Sequence, residues 1–124
     1  MKHSPGFLKL VNETRPYVNE ISVEETRVRL AKNPHAVLLD VREDLEWQRS
    51  HAAEAAHIGK GVLERDLESK IPDPACEIIM YCGGGYRSVL TAAVAQKLGY
   101  QKVFSLQGGF RALVEAKWPM KSES

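Results

Sequence analysis

Cys82 stands at the junction of an apolar run and three consecutive glycines in the stretch EIIMYCGGGYRSVL. Arg87 and Ser88 follow after a loop of four residues, where an amphipathic helical pattern begins. A cysteine becomes a nucleophile as its thiolate, and helix N-termini and nearby cations favour the thiolate. The residue types and their spacing therefore predict a reactive sulfur at this position.

The glycines from Gly83 to Gly85 offer a physical way to hold a negatively charged sulfur. Glycine permits positive φ angles and close backbone approach, so successive amide N–H groups can point inward as an anion-binding concavity. The following helix N-terminus adds a partial positive charge, and Arg87 adds a full one. No histidine base is then required. The alternative is an inert buried cysteine beside an ordinary turn, but a loop set between a buried strand and a helix favours function.

The length of this loop separates two chemistries. Cysteine-dependent phosphatases resemble one another in placing five residues between the cysteine and the arginine, a ring that wraps a tetrahedral phosphate. Here four residues separate Cys82 from Arg87. The tighter ring suits one extra sulfur atom on Cys82 better than a phosphoryl group.

The second cysteine, Cys76, is predicted to be a small apolar filler. On an extended strand it would lie about 20 Å from Cys82, which is too far for a disulfide. The two cysteines form no CxxC motif and have no nearby histidine pair. We therefore predict no metal site and no cofactor.

Composition narrows the class of protein. The chain has 124 residues, 44% of them hydrophobic and 27% charged, as expected for one globular domain. Its net charge is +1 without a long run of one sign, so neither a nucleic-acid nor a membrane partner is predicted. No apolar segment approaches the roughly 18 residues of a membrane span. The first residues, MKHSPGFLKLV, lack the apolar core of a signal peptide, so we expect a cytoplasmic protein.

Strand and helix patterns alternate around the loop. The apolar runs 36–41 and 77–82 are typical of strands buried on both faces. Residues 88–98 form a helical pattern with Gly99 as a left-handed terminator, and Ser22 with Glu25 forms a capping box for an earlier helix. Weaker patterns predict strands in AAHIG and KVFSL and helices in REDLEWQRS, GVLERDLES and GGFRALVEAKW, the last stopped by Pro119.

This alternation predicts a three-layer α/β fold with a parallel sheet. In such sheets, binding sites lie at the carboxyl ends of the strands, and Cys82 follows one of them. Residues 1–20 are predicted to be an N-terminal appendage containing a short helix, with Ser4 as its cap and Pro5 in its first position.

From about residue 21 to residue 120, the chain resembles the single-domain rhodaneses, a sulfurtransferase family. LLDVREDLEW is similar to the family's Asp-Val-Arg segment, YCGGGYRS to its active-site loop, and LGYQKVFSLQGGFRAL to its last strand, double glycine and helix. The order and spacing of these segments make the resemblance specific. It implies a rhodanese-like domain over 21–120, a tail over 121–124, and a central parallel sheet of about five strands with helices on both faces.

The resemblance also implies a double-displacement reaction. Cys82 would take the outer sulfur of thiosulfate or of a persulfide, and a thiophilic acceptor would then remove it. Cyanide, a small thiol or a thiol of a partner protein could serve as that acceptor. Asp40 and Arg42 would support the site. The implied substrate-binding residues are Gly83, Gly84, Gly85, Tyr86, Arg87 and Ser88.

Several assignments stay open at this point. Arg42 is equally well explained by an ion pair with Glu46, four residues further on, and Tyr86 could shape the pocket or lie on the surface. His51 and His57 are expected to be structural. Within the family that the chain resembles, arginine or lysine at several loop positions goes with anionic donors such as thiosulfate. This loop carries only Arg87, so thiosulfate is expected to be a poor donor compared with a protein persulfide or glutathione persulfide.

Where the family usually reads Gly-His-Ile-Pro-Gly-Ala, this chain has SHAAEAAHIG. Only His51 and Ala55 fit the family pattern. Without the proline and the glycines, the segment 50–59 is expected either to turn differently or to become helical.

Three other functions compete with sulfur transfer. A phosphatase or arsenate-reducing enzyme of related fold is disfavoured by the four-residue loop and by the lack of an acidic residue within it. A non-enzymatic sulfur carrier or interaction module ranks second to the enzyme, because the loop cysteine is present. A nucleotide site ranks last, since the loop lacks the lysine of a phosphate-binding P-loop.

Overall fold

The computed structural model describes residues 3–123. Seven short strands occur in it: β1 (Asn19–Ile21), β2 (Val37–Asp40), β3 (His51–Ala52), β4 (Ala56–His57), β5 (Glu77–Tyr81), β6 (Lys102–Leu106) and β7 (Met120–Lys121). The helices are α1 (Pro5–Thr14), α2 (Val23–Lys32), α3 (Asp44–Arg49), α4 (Leu63–Lys70), α5 (Arg87–Lys97) and α6 (Gly109–Glu115), with single 3₁₀ turns at Arg15–Tyr17 and Lys60–Val62.

Five strands form a parallel sheet in the order β1-β6-β5-β2-β4. The predicted three-layer α/β fold with a central parallel sheet of five strands is therefore confirmed. The two longest apolar runs, β2 and β5, lie side by side in the middle of the sheet, with Leu39 paired to Met80. A strand between two other strands in a covered sheet is buried on both faces, which is why these runs are almost wholly apolar.

Alternate side chains of β2 and β5 enter two separate cores. On one face Leu39, Ile78 and Met80 pack with side chains of α1, α4 and α5. On the other face Leu38, Ile79 and Tyr81 pack with side chains of α2 and α6. Helices therefore cover both faces of the sheet, and α1 is one of them, with Val11 fully buried.

The ends of most helices follow their local sequence. Ser22 accepts a hydrogen bond from the Glu25 amide at 3.1 Å, as predicted, and α2 ends just before Asn33. Gly99 follows α5 with a φ of +104°, as predicted for the left-handed residue that ends this helix. Ser4 precedes α1, but its side chain makes no capping hydrogen bond.

The last helix ends earlier than predicted. It stops at Glu115, and Lys117 adopts the left-handed conformation with a φ of +59°. The turn at Lys117, rather than Pro119, therefore ends α6. The Lys117 and Trp118 amides both bond back to carbonyl groups of the last helical turn.

The segment 50–59 is not helical. It contains β3, a turn at Ala53 and Glu54, and β4, which joins the parallel sheet beside β2. The strand β3 pairs in an antiparallel manner with β7 near the end of the chain. Of its two expected outcomes, the helical one is therefore not observed. Among residues 3–123, no helix is long and apolar enough to cross a membrane.

Candidate active site

Cys82 lies directly after β5, at the carboxyl edge of the parallel sheet, and is almost completely buried. Its Sγ accepts hydrogen bonds from the backbone amides of Gly85, at 3.2 Å, and Ser88, at 3.3 Å. The Ser88 hydroxyl oxygen lies 3.5 Å from the same sulfur. The loop therefore curls around the sulfur, and two of its amides point inward at the atom that would carry negative charge.

The conformation of this loop depends on glycines in two parts of the chain. Gly85 has a φ of +95°, and a Cβ there would approach the Gly108 amide nitrogen to 3.0 Å. Gly109, at the start of α6, has a φ of +53°, and a Cβ there would overlap the carbonyl oxygen of Cys82. Gly109 is needed because the helix start lies directly on the loop, whereas Gly108 has a φ of +75° and a Cβ there would approach the Ala112 side chain of α6.

The first amides of α6 also hold the loop by hydrogen bonds. The Phe110 amide donates to the Cys82 carbonyl at 2.6 Å, and the Arg111 amide donates to the Gly83 carbonyl at 3.1 Å. Amides in the first turn of a helix have no partners within that helix. Here the loop carbonyls accept from them, so α6 fixes the backbone on which the sulfur sits.

A buried hydroxyl pair lies beside the sulfur. Ser88 and Ser105 are both fully buried, and their hydroxyl oxygens are 2.7 Å apart. Ser105 comes from β6 and was not predicted as a site residue. A hydroxyl in the otherwise apolar stretch VFSL was the only signal for it, and such a signal does not indicate which group the hydroxyl contacts.

Asp40 and Arg42 form a buried ion pair at the carboxyl end of β2. The Arg42 Nε and Nη2 donate to the Asp40 carboxylate at distances from 2.7 to 3.1 Å, and Nη2 also donates to the Ser50 carbonyl. The alternative pairing of Arg42 with Glu46 is therefore wrong. Asp40 is completely buried, and a buried carboxylate requires a partner of opposite charge. Arg42 also lies over the Phe110 ring, 4.1 Å from its centroid.

Glu46 instead pairs with Arg87. The Arg87 Nη1 and Nη2 donate to the two carboxylate oxygens at 2.9 and 3.2 Å. These hydrogen bonds lower the pKa of the Glu46 carboxyl and raise the pKa of the Arg87 guanidinium. The loop arginine is therefore paired with a carboxylate, which reduces its attraction for an anionic donor. Glu46, 41 residues away in sequence, was not predicted at the site.

A cavity of about 840 Å³ opens beside Cys82. Aromatic and aliphatic side chains from α1, the residues before it, the loop and α6 make up much of its lining: His3, Phe7, Tyr86, Phe110 and Val114. Arg42, Glu46, Arg87 and Arg111 supply the charged part, and the backbone at Gly83 and Gly84 completes it. Of the two readings of Tyr86, the structure supports the one in which it shapes the pocket wall.

The two histidines of the 50–59 segment are held by structural contacts. The His51 ring stacks on Trp47 with centroids 3.4 Å apart, and its nitrogens lie 2.9 Å from the Ala52 carbonyl and 2.8 Å from a Glu123 carboxylate oxygen. The His57 Nε2 lies 2.9 Å from the Arg42 carbonyl. Neither histidine lines the cavity, in agreement with their expected structural role.

Cys76 has different surroundings from those of Cys82. Both thiols are free, as the spacing predicted. The Cys76 Sγ lies 3.6 Å from two backbone carbonyl oxygens, and no amide donor approaches it within the described part of the chain. Burial, followed by the charges of Asp73 and Glu77, raises the pKa of the Cys76 thiol. It is therefore a poor nucleophile at neutral pH.

Comparison with known families matches a model described as the rhodanese-like domain to residues 22–116. The chain belongs to the rhodanese-like family. The matched region begins one residue before α2 and ends one residue after α6. The resemblance inferred from the three sequence segments is thereby confirmed.

The relatives of this rhodanese-like chain are named for three different roles. It is 31% identical over 106 residues to the tRNA uridine(34) hydroxylase of Protochlamydia amoebophila, covering 80% of this chain and 32% of that protein. It is 29% identical over 112 residues to YrkF of Bacillus subtilis, named as a sulfur carrier protein, covering 90% and 57%. It is 30% identical over 95 residues to a sulfurtransferase of Allochromatium vinosum, covering 77% and 87%. The chain thus spans about one third of the hydroxylase and just over half of YrkF.

A solved structure has the same fold as this chain. The polysulfide-sulfur transferase homodimer of Wolinella succinogenes superposes with a TM-score of 0.79 at 22% identity, covering 96% of this chain and 89% of that one. At this level of identity the likeness concerns the fold alone. The N-terminal helix lies within the aligned length, although the family match begins after it.

Proposed function

We propose that this rhodanese-like protein is a sulfurtransferase that carries sulfane sulfur from a donor to a thiophilic acceptor as a persulfide on Cys82. The observation that supports this most directly is the pair of amides, from Gly85 and Ser88, that donate to the Cys82 sulfur. Hydrogen bonds to a charged form favour that form. The same loop can receive a persulfide anion.

The first half-reaction loads the cysteine. The Cys82 thiolate attacks the outer sulfur of the donor, the donor's S–S bond breaks, and the remainder leaves with the bonding electron pair. Thiosulfate would release sulfite, and an organic persulfide would release its thiolate. The product in both cases is the Cys82 persulfide anion, and the step consumes neither a proton nor an oxidant.

The second half-reaction returns the free thiolate. The acceptor attacks the terminal sulfur of the persulfide, and the Cys82 sulfur leaves with the electron pair. Cyanide would give thiocyanate, whereas a small thiolate or a thiolate of a partner protein would give a new persulfide. These two steps need no metal and no cofactor.

The remaining site residues have distinct proposed roles. The amides from Gly83 to Ser88 hold the persulfide, and Tyr86 shapes the entrance. Asp40 and Arg42 keep the carboxyl end of β2 in place, and Arg42 also faces the cavity. Because Arg87 is paired with Glu46, we expect thiosulfate to be a poorer donor than a persulfide.

A sulfur carrier or interaction module without turnover is the second candidate, and the relation to YrkF favours it. We propose no hydroxylase activity, because the chain spans only 32% of the relative with that name.

The domain limits at 21–120, the cytoplasmic location and the lack of nucleic-acid or membrane partners stay predictions. The appendage and the tail extend to residues 1–2 and 124, which lie outside the described residues.

The test is the intact mass of the protein before and after exposure to thiosulfate or glutathione persulfide, followed by cyanide. We expect a gain of one sulfur atom that cyanide removes. Cys82→Ala should lose this gain and Cys76→Ala should keep it. Loading without repeated turnover would identify a carrier, and a gain that persists in Cys82→Ala would contradict the proposal.

A further inference from the structure

The helix α1, which precedes the family match, forms part of the cavity wall. His3 and Phe7 both line the cavity beside Tyr86 of the loop. The His3 ring centroid lies 4.4 Å from that of Tyr86, and the Phe7 centroid lies 6.4 Å from it. These three rings form an aromatic wall whose position is fixed by the packing of α1 on α5.

The charged groups of the cavity are largely neutralised. Arg42 is paired with Asp40, and Arg87 is paired with Glu46. Arg111 also lines the cavity, but its side chain is exposed, so water and salt screen its charge. A small dianion such as thiosulfate would find few unpaired, desolvated cations near Cys82.

The size of the cavity points in the same direction. At about 840 Å³ it lies within the range of pockets that enclose drug-sized organic ligands, which are mostly apolar with a few polar groups. An inorganic anion of five atoms would leave the aromatic wall without a contact. A donor with an organic group would cover it.

We propose that the aromatic wall of His3, Phe7 and Tyr86 binds the organic group of the sulfur donor, so that the protein prefers sulfane-sulfur compounds bearing an apolar group of about aromatic size. This proposal rests on the sulfurtransferase function proposed above. It makes α1 a determinant of substrate specificity, and it makes Phe7 a binding residue that takes no part in the sulfur chemistry.

Thiosulfonates provide matched probes for this proposal. In an arylthiosulfonate the Cys82 thiolate attacks the outer sulfur, the S–S bond breaks, and the arylsulfinate leaves with the electron pair. The new bond joins that sulfur to Cys82. Methanethiosulfonate reacts in the same way but carries only a methyl group, so the pair differs mainly in apolar size.

The experiment measures kcat/KM for benzenethiosulfonate, methanethiosulfonate and thiosulfate, with cyanide as the acceptor. We expect the phenyl donor to exceed the methyl donor by about tenfold or more, the range expected when an apolar pocket is filled. Phe7→Ala should reduce this ratio by about tenfold. Leu10→Ala changes an exposed residue of the same helix outside the cavity, and it should leave the ratio unchanged.

The outcomes separate this proposal from the one on which it rests. If no donor loads Cys82, both proposals fail. If methanethiosulfonate loads Cys82 and the wild-type protein shows no phenyl preference, only the aromatic wall fails, and this comparison requires no variant. A phenyl preference that Phe7→Ala leaves intact also overturns the proposal. Phe7→Leu keeps apolar packing at this position if Phe7→Ala proves unstable.

Discussion

Most of the groups that contact the Cys82 sulfur cannot be exchanged without moving the backbone. Two of its neighbours are amides, and the third is the Ser88 hydroxyl, which Ser105 contacts from β6. Side-chain substitution cannot remove the amides, so Ser88 and Ser105 are the positions at which the surroundings of the sulfur can be tuned. Both are fully buried, which keeps water from replacing either hydroxyl.

Ser88→Ala should slow alkylation of Cys82 by iodoacetamide at neutral pH. Once Cys82 is a thiolate, the Ser88 hydroxyl at 3.5 Å can donate to the sulfur, and the loss of this hydrogen bond is worth about 1 kcal/mol, or roughly a fivefold change in rate. The rate is measured in a Cys76→Ala background, so that only one thiol reports. Ser69→Ala, which removes an exposed hydroxyl on α4, serves as the control. An equal rate in Ser88→Ala and in the control would show that the hydroxyl does not act on the sulfur.

At the scale of elements, the site is made where the end of one strand meets the starts of two helices. The strand β5 delivers Cys82, α5 begins at Arg87, and α6 begins at Gly109 against the loop backbone. Glycines often make a loop flexible. The two hydrogen bonds from α6 to Cys82 and Gly83 show that the loop is instead anchored.

Gly109→Ala should therefore destabilise the fold by about 2–3 kcal/mol. The new Cβ would overlap the Cys82 carbonyl, and alanine at a positive φ adds backbone strain. The measurement is the free energy of unfolding in urea. Gly61→Ala is the matched control, because a Cβ at Gly61 would meet nothing within 4 Å. If the free energy of unfolding falls by the same small amount in both variants, the close contact between α6 and the loop is not needed for stability.

At the scale of the whole molecule, the architecture could be predicted because β2 and β5 are apolar on both faces and helical patterns flank them. The strands β1, β3 and β7 were missed. They contain two or three residues each, too few to show a periodic pattern, and each depends on a distant partner. The strand β3 pairs with the distant strand β7, as in His51 with Lys121, which is 70 residues further along the chain.

The same reason limits what could be predicted of the site. Cys82, its loop and Arg87 lie close together in sequence, so their types and spacing indicated the chemistry. Glu46 and Ser105 reach the site only through the sheet topology, across 41 and 17 residues from their partners. The pairing of Glu46 with Arg87 also changed the interpretation, because it reduces the positive charge offered to a donor.

This long-range ion pair predicts a pH dependence of stability. Arg87 lowers the pKa of Glu46 below its ordinary value of 4.5, so the pair stabilises the folded protein above that value. Its contribution should be lost as the pH falls through the lower folded pKa. Because the Glu46 side chain is 36% exposed, we expect less than about 1 kcal/mol.

The measurement compares the free energy of unfolding of the wild-type protein with that of Glu46→Gln across the acid range. The wild-type advantage should be present at neutral pH and should vanish at low pH. Glu64→Gln, at an exposed position on α4, controls for the general effect of losing a carboxylate. An advantage that does not change with pH would contradict the assignment.

The position of His3 in the cavity wall has a practical consequence for any fused polypeptide. Whatever precedes residue 3, whether an affinity tag or a natural upstream segment, joins the chain beside the entrance to the Cys82 cavity. An N-terminal tag would therefore begin close to the cavity and should be removed before a kinetic assay. The chain end after β7, held on β3 and on Gln48 of α3, is the better place for a tag.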